Sequence, residues 1–378
     1  MANEKAPTRV LVVYHHLPHY RFGVFRALES QVGYEFVFAA GDAQPGENIE
    51  TIPLAALTSA VRLENRWVGR LLWQRGLVKL IATGEYEKVI FLGNWSYLST
   101  WVAAAFGRVI GCEVYFWTIG WHRPDSGPRR VLRALFYSLA NRLLLYGEQA
   151  RRIGLSSGYP PSKMVVIGNS SSALPAIMYR ESIEDHGINA ARGAGAKGRV
   201  VLAVVRLTRA KKLELLIEAV SRIRAQARPT IIFVGSGPHE AQLRLTASTL
   251  SVRAEFLGSI HDEDRLAKIY EIAHCCVIPE AAGLTVLQSL RHGVPVITCD
   301  DPYRQMPEYE AIADGVNGRL YSADDVDDLA LKIDEVCSCM ERDRRSVGRA
   351  CTESVTGLWT PEGQAEAILS AISEKTRS

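Results

Sequence analysis

The chain has 378 residues, of which 47% are hydrophobic and 22% charged, and its formal net charge is +3. This length and composition are typical of two folded domains with sizeable cores, and they exclude a largely disordered protein. The charge is uneven, because residues 1–175 hold 19 Lys and Arg against 12 Asp and Glu. A basic first half indicates an anionic partner on that side. The small total charge and the lack of an aromatic–basic platform argue against nucleic acid.

Cysteine usage and the chain start indicate the compartment. The seven cysteines form no Cys-x-x-Cys pair, and several lie in apolar runs. This pattern is typical of buried thiols in a reducing cytoplasm rather than of a disulfide framework or a zinc site. The start, MANEKAPTR, lacks the apolar core of a signal peptide, and no apolar run reaches the roughly 18 residues of a membrane span. We therefore expect a cytoplasmic protein.

Short apolar strands alternate with helices along the first half. Strands are predicted at 10–13, 36–40, 89–92, 113–117, 143–146 and 164–167. Helices are predicted at 62–82, 97–110, 129–141 and 148–157, with another ending near residue 30. In the stretch 62–82, Arg62, Arg66 and Arg70 would share one helix face. This alternation predicts a doubly wound parallel sheet in a first domain, residues 1–180.

The polar, Gly- and Ala-rich residues 181–198 are interpreted as a linker. The alternation then restarts, with strands predicted at 200–205, 230–234, 254–257, 275–278 and 294–298. Helices are predicted at 213–227, 264–274 and 284–291, before 250 and from 325 onward. These residues form a second domain, 199–358. Thr360 and Pro361 predict the start of a last helix, within 359–378.

The stretch 275–298 reads as a strand, a turn of small residues, a helix and the next strand. Such a turn brings backbone N–H groups of a helix N-terminus close to an anion, whose charge the helix dipole favours. Glu280 and Gln288 flank the turn, which contains Gly283. The stretch fits a pocket for a phosphorylated ligand with hydroxyl groups. The alternative is an ordinary strand–helix–strand crossover.

Two further strand ends carry candidate residues. Arg206 and Lys211 follow the strand at 200–205, where two fixed cations can neutralise a diphosphate leaving group. The alternative is a solvated basic loop. Gly235 and Gly237 follow the next strand in a Gly-Ser-Gly-Pro turn, which is too short for a dinucleotide fingerprint. In open sheets of this type, ligands bind beyond the carboxyl ends of the strands.

These motifs together resemble retaining glycosyltransferases of family 4, also called glycosyltransferase group 1. The donor-domain segments are VVRLTRAKKLELLIEA, IIFVGSGPHEAQL, AEFLGSI and IPEAAGLTVLQSLRHGVPVI. The first half, with HYRFGVFRAL, FLGNWS, VYFWTIG, LLLYGEQA and VVIGNSS, is similar to a branch that includes capsular-polysaccharide transferases. The resemblance implies the GT-B fold, in which two Rossmann-like domains face each other across a cleft. It also implies a last helix that crosses back onto the first domain.

The resemblance implies a role for each donor-side residue. Arg206 and Lys211 would bind the donor diphosphate, and Glu280 would contact the sugar hydroxyls as the first Glu of the family's Glu-x7-Glu motif. Gln288 replaces the second Glu of that motif, which holds the ribose. The remaining donor-binding candidates are Gly235, Gly237, Ile260, Gly283, Leu284 and Thr285. The resemblance implies no metal and no cofactor other than the nucleotide-sugar co-substrate.

The acceptor side departs from the family pattern. Where relatives read Trp-Thr-His-Gly, this chain has Ile119 in place of the His. His122 lies three residues further on and is a candidate replacement as a catalytic group, as are His15, His16 and His19, although a lone His is more often structural. His16, Arg21 and Asn94 are the other acceptor-side candidates.

An arginine-rich stretch between residues 123 and 152 is consistent with two interpretations. It either forms a solvated helix face or docks anionic lipid headgroups by charge attraction.

The resemblance thus predicts a hexosyltransferase. It would move a sugar from a nucleoside diphosphate to a lipid-linked or polysaccharide acceptor, in the cytoplasm or peripherally on the inner face of the membrane. Ile119 and Gln288 keep a second hypothesis open, a non-catalytic scaffold partner of another transferase. A nucleotide-sugar epimerase of the same fold is the third.

Overall fold

The computed structural model describes residues 6–44, 46, 49–170, 198–260 and 262–374. It divides the chain into two compact units. The first comprises Met1–Leu174 and Gly357–Ser378, and the second comprises Pro175–Thr356. Nearly all of the predicted linker, 181–198, lies outside the described residues.

The first unit is built on a seven-stranded parallel sheet with the order β3-β2-β1-β6-β7-β8-β9. The central strands are apolar along their whole length because helices cover both faces of the sheet. Its strands are β1 Thr8–Val13, β2 Tyr34–Ala40, β3 Ala60–Arg62, β6 Lys88–Leu92, β7 Glu113–Thr118, β8 Arg142–Leu145 and β9 Met164–Val166.

Six helices of the described residues pack on this sheet. In chain order they are α1 Phe22–Glu29, α2 Leu77–Thr83, α3 Leu98–Val109, α4 Gly127–Ser138, α5 Glu148–Ser156 and α11 Pro361–Ser373. The four helices α2 to α5 share one core with the sheet, and α1 and α11 share the core on the other face. The Thr360 hydroxyl caps α11 by accepting a bond from the Gly363 N–H at 3.1 Å, as the sequence predicts.

The predicted helix at 62–82 is wrong over most of its length. Strands β4 Glu64–Val68 and β5 Leu71–Arg75 form an antiparallel hairpin, and within 62–82 only the residues of α2 are helical. Gly69 and Gly76 have φ of +58° and +88°, so each marks a chain reversal that a helix does not tolerate. The four-residue spacing of the arginines imitates a helix face, but it also fits alternate positions of strands.

The second unit is built on a six-stranded parallel sheet with the order β12-β11-β10-β13-β14-β15. The fold class predicted from the sequence, two doubly wound parallel sheets, is therefore confirmed. The strands are β10 Val200–Val204, β11 Thr230–Val234, β12 Ala254–Phe256, β13 Cys275–Val277, β14 Val296–Cys299 and β15 Gly318–Tyr321.

The helices of the second unit fall close to their predicted positions. The first ends five residues earlier than predicted, since the chain leaves helical geometry at Ile223. The helices of this unit are α6 Leu213–Arg222, α7 Glu240–Thr249, α8 Glu263–Ile272, α9 Thr285–Arg291 and α10 Val326–Ser354. The last of these is kinked at Asp343. Among the described residues, no helix is long and apolar enough to cross a membrane.

Candidate functional site

The loops that follow β11 and β12 lie side by side at the carboxyl edge of the second sheet. The Gly235 N–H donates to the Gly258 carbonyl at 2.7 Å, and the hydroxyls of Ser236 and Ser259 are 2.9 Å apart. Ile260 follows directly and is half-buried. Three predicted donor-binding positions, Gly235, Gly237 and Ile260, therefore belong to one local loop cluster.

The two glycines of the Gly-Ser-Gly-Pro turn are required by close packing. A Cβ on Gly235 would stand 2.1 Å from the Val205 carbonyl oxygen, and one on Gly237 would stand 2.1 Å from that of Leu207. The turn therefore lies directly against the backbone on either side of Arg206, whose side chain is exposed. This packing joins the β10 loop to the same cluster.

Lys211 points toward the turn that precedes α9. Its ammonium donates to the Ala281 carbonyl, and burial lowers the Lys211 pKa, an effect that nearby Glu308 partly offsets. A half-buried cation has lost part of its hydration, so its attraction for an anion in the turn is stronger than that of an exposed lysine. Lys211 and the predicted phosphate-binding turn are thus brought together.

Glu280 is the centre of a charged quartet made of Lys212, Glu280, Arg304 and Asp324. Its carboxylate accepts from Lys212 at 2.7 Å and from Arg304 at 2.8 Å, and Asp324 pairs with the same two cations at 2.6 Å each. Hydrogen bonds from Lys212 and Arg304 lower the pKa of Asp324. The quartet holds the Glu280 carboxylate in one orientation at the carboxyl end of β13.

Side chain and backbone groups of residues 304 and 305 brace the turn after Glu280. The Ala281 N–H donates to the Arg304 carbonyl at 2.9 Å, and the Ala282 N–H donates to the Gln305 carboxamide oxygen at 3.0 Å. Gln305 in turn donates to the Thr298 hydroxyl at 2.8 Å. Ala281 has φ of +54°, a conformation that an L-residue adopts at some energetic cost. The bonds on both sides of Ala281 compensate for that strain.

The first turn of α9 supplies the backbone groups predicted to face phosphate. Gly283, Leu284 and Thr285 provide its leading N–H groups, which have no carbonyl of a preceding helical turn to bond. The Thr285 hydroxyl donates to the Val204 carbonyl at 2.8 Å, which ties the start of α9 to the end of β10.

Gln288 has a different partner from Glu280. The Tyr270 hydroxyl donates to the Gln288 carboxamide oxygen at 3.4 Å, and the Tyr270 ring is stacked on His292 at a centroid distance of 4.6 Å. The two residues aligned with the Glu-x7-Glu motif are therefore held separately, one by the quartet and one by α8.

In the first unit, the residues after β1 lie in an aromatic cluster. The His15 ring meets those of His16, Trp67 and Tyr97 at 4.2, 6.0 and 5.5 Å, and His16 is buried. Asn65 donates to the His15 carbonyl at 2.7 Å. Since Asn65 and Trp67 belong to β4, the hairpin positions the histidines, which the predicted helix did not anticipate.

Arg21 is buried. Its guanidinium lies over the rings of Tyr20, Trp117 and Tyr146 at 4.9 to 5.3 Å, and it donates to Gln364 of α11 at 3.5 Å. These contacts give Arg21 a packing role between α1 and α11.

The other two candidates of the first unit have contrasting surroundings. The Asn94 carboxamide oxygen accepts from the Ser96 N–H and hydroxyl at 3.1 and 2.9 Å, so it shapes the turn before α3. His122 is exposed. Partial loss of hydration, with the positive charges of Arg133 and Arg123, lowers the His122 pKa.

A comparison with protein families found a match within the second unit. Residues 188–352 match the family model for glycosyl transferases group 1. The second unit is therefore similar to the glycosyl transferases of this group. Within it, the matched residues include every donor-side candidate, from Arg206 to Gln288.

Two relatives align with part of this chain. An uncharacterised glycosyltransferase of Methanocaldococcus jannaschii is 31% identical over 158 residues, which are 40% of this chain and 39% of that protein. The D-rhamnosyltransferase WbpZ of Pseudomonas aeruginosa is 32% identical over 96 residues, 24% of each chain. The chain thus spans only a quarter to two fifths of the length of these relatives.

Similarity of fold extends over both units. The crystal structure of HepE from Anabaena, solved with UDP, has a TM-score of 0.72 at 16% identity and covers 97% of this chain and 99% of its own. The two units thus have the Rossmann-like domains of the GT-B fold.

Sequence reasoning missed the residues that support Glu280. From the sequence, Lys212 is only one of the residues of the basic loop after the strand at 200–205. No role was predicted for Arg304, Gln305 or Asp324. No spacing rule joins them, because they come from the loops after three different strands. The only available signal was their position just beyond strand ends, where a parallel sheet gathers its loops.

Proposed function

We propose that the chain is a glycosyltransferase that moves a sugar from a nucleoside diphosphate to a hydroxyl of a lipid-linked or polysaccharide acceptor. The observation that carries this proposal is the arrangement around the turn at 280–283, within the second unit. There, a half-buried lysine, a braced carboxylate and the first amides of α9 lie together. The donor belongs to this site, and the acceptor belongs to the first unit.

Each group has a role in the proposed reaction. Arg206 and Lys211 bind the diphosphate and stabilise the negative charge that develops on it as the sugar leaves. The amides of Gly283, Leu284 and Thr285 add neutral donors to the same anion. Glu280 accepts hydrogen bonds from the sugar hydroxyls, and Gln288 bonds the ribose diol without the charge assistance of the usual Glu.

Retention of configuration and independence from metal ions are parts of the proposal that come from the family resemblance. In a retaining reaction, the leaving phosphate accepts the acceptor proton, so no strong base is needed. His122, with its lowered pKa, is neutral at pH 7 and can accept a proton as an auxiliary base. Turnover unaffected by EDTA, with the product anomer assigned by NMR, would support both parts, whereas metal dependence or inversion would contradict them.

The proposed setting is the cytoplasm, at the inner face of the membrane. The arginines of α4 carry the electrostatic part of this proposal, because the headgroups of anionic lipids attract clustered cations. Binding to anionic vesicles at low salt supports this setting, and a failure to bind them there rejects it.

The test of the activity is turnover of a panel of nucleotide sugars, starting with UDP-sugars because HepE was solved with UDP. We expect transfer to an acceptor extract, detected by mass spectrometry. Arg206→Ala and Lys211→Ala should each lower turnover by about 100-fold or more. Unchanged turnover in both folded variants would contradict the assignment. Conversion of donor without an acceptor would identify an epimerase, and the absence of turnover and donor binding would favour the scaffold hypothesis.

A further inference from the structure

Exposed apolar side chains of the first unit are concentrated in one part of its sequence. Among its described residues, most of the large hydrophobic side chains that are exposed lie between residues 68 and 155. The exceptions in this described part are Val32 and Leu358. We define the apolar surface as the exposed side chains of the hairpin β4–β5, residue 95 and α3. It comprises Val68, Leu71, Trp73, Trp95, Leu98 and Val102.

The backbone fixes the outward direction of the hairpin side chains. In β5, Leu72 and Gln74 are buried, so the alternating residues Leu71 and Trp73 face water. Gln74 anchors the strand, because its carboxamide donates to the Tyr14 carbonyl at 3.0 Å and its N–H donates to the Ser99 hydroxyl at 3.0 Å. Trp73, which is 43% exposed, is thus held at the surface by a rigid strand.

Helix α3 extends this surface beside β5. The Leu72 N–H donates to the Ser96 carbonyl at 3.2 Å, which joins β5 to the chain entering α3. Leu98 and Val102 lie one helical turn apart and are exposed, while Ala103 is in the core. The next helix, α4, packs against α3 through the rings of Trp101 and Phe136 at 4.9 Å. It exposes three further apolar residues, Val131, Leu132 and Leu135.

Cations outnumber carboxylates in this region. Residues 65–84 and 89–112 contain no Asp or Glu, whereas they contain Arg66, Arg70, Arg75, Lys79 and Arg108. Glu64 lies at the margin and pairs with Arg66 and Arg75 at 2.9 and 3.5 Å. On α4, Arg129 and Arg130 are exposed beside the apolar residues. A cationic region with exposed tryptophans complements an anionic lipid interface, where indole rings settle among the headgroups.

We propose that the apolar surface inserts into the interface of an anionic bilayer, with Trp73 and Trp95 among the headgroups and the arginines on lipid phosphates. Isolated exposed apolar residues are ordinary on proteins, but a contiguous group marks a binding surface. The proposal deepens the membrane part of the proposed function. It is independent of the transfer reaction, and it differs from docking by charge alone because insertion persists when salt screens the charges.

The test uses the full chain with vesicles of phosphatidylcholine and phosphatidylglycerol, in low salt and in about 1 M salt, where the Debye length is about 3 Å. We expect binding that salt weakens but does not abolish. Phosphatidylcholine with brominated acyl chains should quench the tryptophan fluorescence of the bound protein. The double variant Trp73→Phe with Trp95→Phe should lose most of that quenching. Equal quenching in this variant, or complete release by salt, would overturn the proposal.

A paired set of variants tests the aliphatic part of the surface. Leu71→Ser with Leu98→Ser should lower the binding constant in high salt by about tenfold. Leu245→Ser with Leu331→Ser, at exposed positions of the second unit, should leave it unchanged. Equal effects of the two pairs would contradict insertion. So would a dimer, found by sedimentation without vesicles, that the first pair dissociates. Because these vesicles contain no nucleotide sugar, a negative result here leaves the transferase test unaffected.

Discussion

Arg304 is the residue that joins both carboxylates of the charged quartet to the donor turn. It pairs with Glu280 and Asp324 through its guanidinium, and its carbonyl accepts from Ala281. Arg304 therefore acts as a positioning residue for Glu280. Without it, Lys212 alone would hold two carboxylates, and Glu280 would sample other rotamers.

We predict that Arg304→Ala lowers kcat/KM for the nucleotide sugar by about tenfold, with Arg304→Lys restoring part of it. Steady-state kinetics check this, and the unfolding midpoint is followed alongside. The matched control is Arg222→Ala, which removes an exposed pair with Asp327 at 2.6 Å elsewhere in the second unit. Equal kinetics for Arg304→Ala and the control would show that the quartet does not position Glu280.

The lowered pKa of Lys211 predicts a pH dependence of donor binding. A bound diphosphate raises this pKa again, because it stabilises the ammonium form. Binding is then constant below the pKa of the free protein and weakens as pH rises through it, starting below the ordinary lysine range. Calorimetry with UDP at several pH values measures this dependence.

Lys211→Arg should flatten that alkaline decline, because a guanidinium stays protonated. A decline that is the same in wild type and Lys211→Arg would assign the titration to another group.

Among the helices and strands, the C-terminal helix α11 is held against the rest of the first unit by hydrogen bonds of the Gln364 side chain. This fully buried side chain accepts from the Ser170 hydroxyl at 2.7 Å and from its N–H at 3.1 Å, and it donates to the Gly168 carbonyl at 2.7 Å. A buried group that loses its partner carries a large desolvation penalty, so the network outweighs any single bond in it.

Gln364→Ala should destabilise the first unit by about 2 kcal/mol, since it leaves the buried Ser170 and Gly168 groups unbonded. Denaturant unfolding followed by tryptophan fluorescence measures the change. Glu366→Ala, at an exposed position of the same helix, is the control and should change the stability little. A loss that is equal in the two variants would mean that the hydrogen bonds of Gln364 contribute nothing beyond helix propensity.

The elements also show what sequence reasoning can and cannot predict. Strand β13, its turn and α9 were predicted nearly to their ends, because a short apolar run, small residues and a helical period follow each other without ambiguity. The hairpin β4–β5 was predicted as a helix, because arginines at 62, 66 and 70 matched a helical period. Gly69 and Gly76 were the contrary signals, because both have positive φ in the structure.

For the whole molecule, the two-sheet architecture followed from the alternation of apolar runs and helical patterns along the chain. The partners of Glu280 did not follow, because the quartet depends on side chains from separate loops that only the folded sheet brings together. The same limit applies to the surroundings of Arg21, because the three aromatic rings that its guanidinium contacts come from separate parts of the chain.

The central claim is that the second unit binds a nucleoside diphosphate through the loops after β10, β11 and β13. Amide hydrogen exchange of the full chain, with and without UDP, GDP and ADP, tests it most directly, because ligand contacts slow local opening. We expect at least one nucleotide to protect the segments around 205–212, 235–238 and 280–288, and Arg206→Ala to weaken this protection. Protection confined to other segments, or no protection by any of the three nucleotides, would show that these loops do not bind a nucleoside diphosphate.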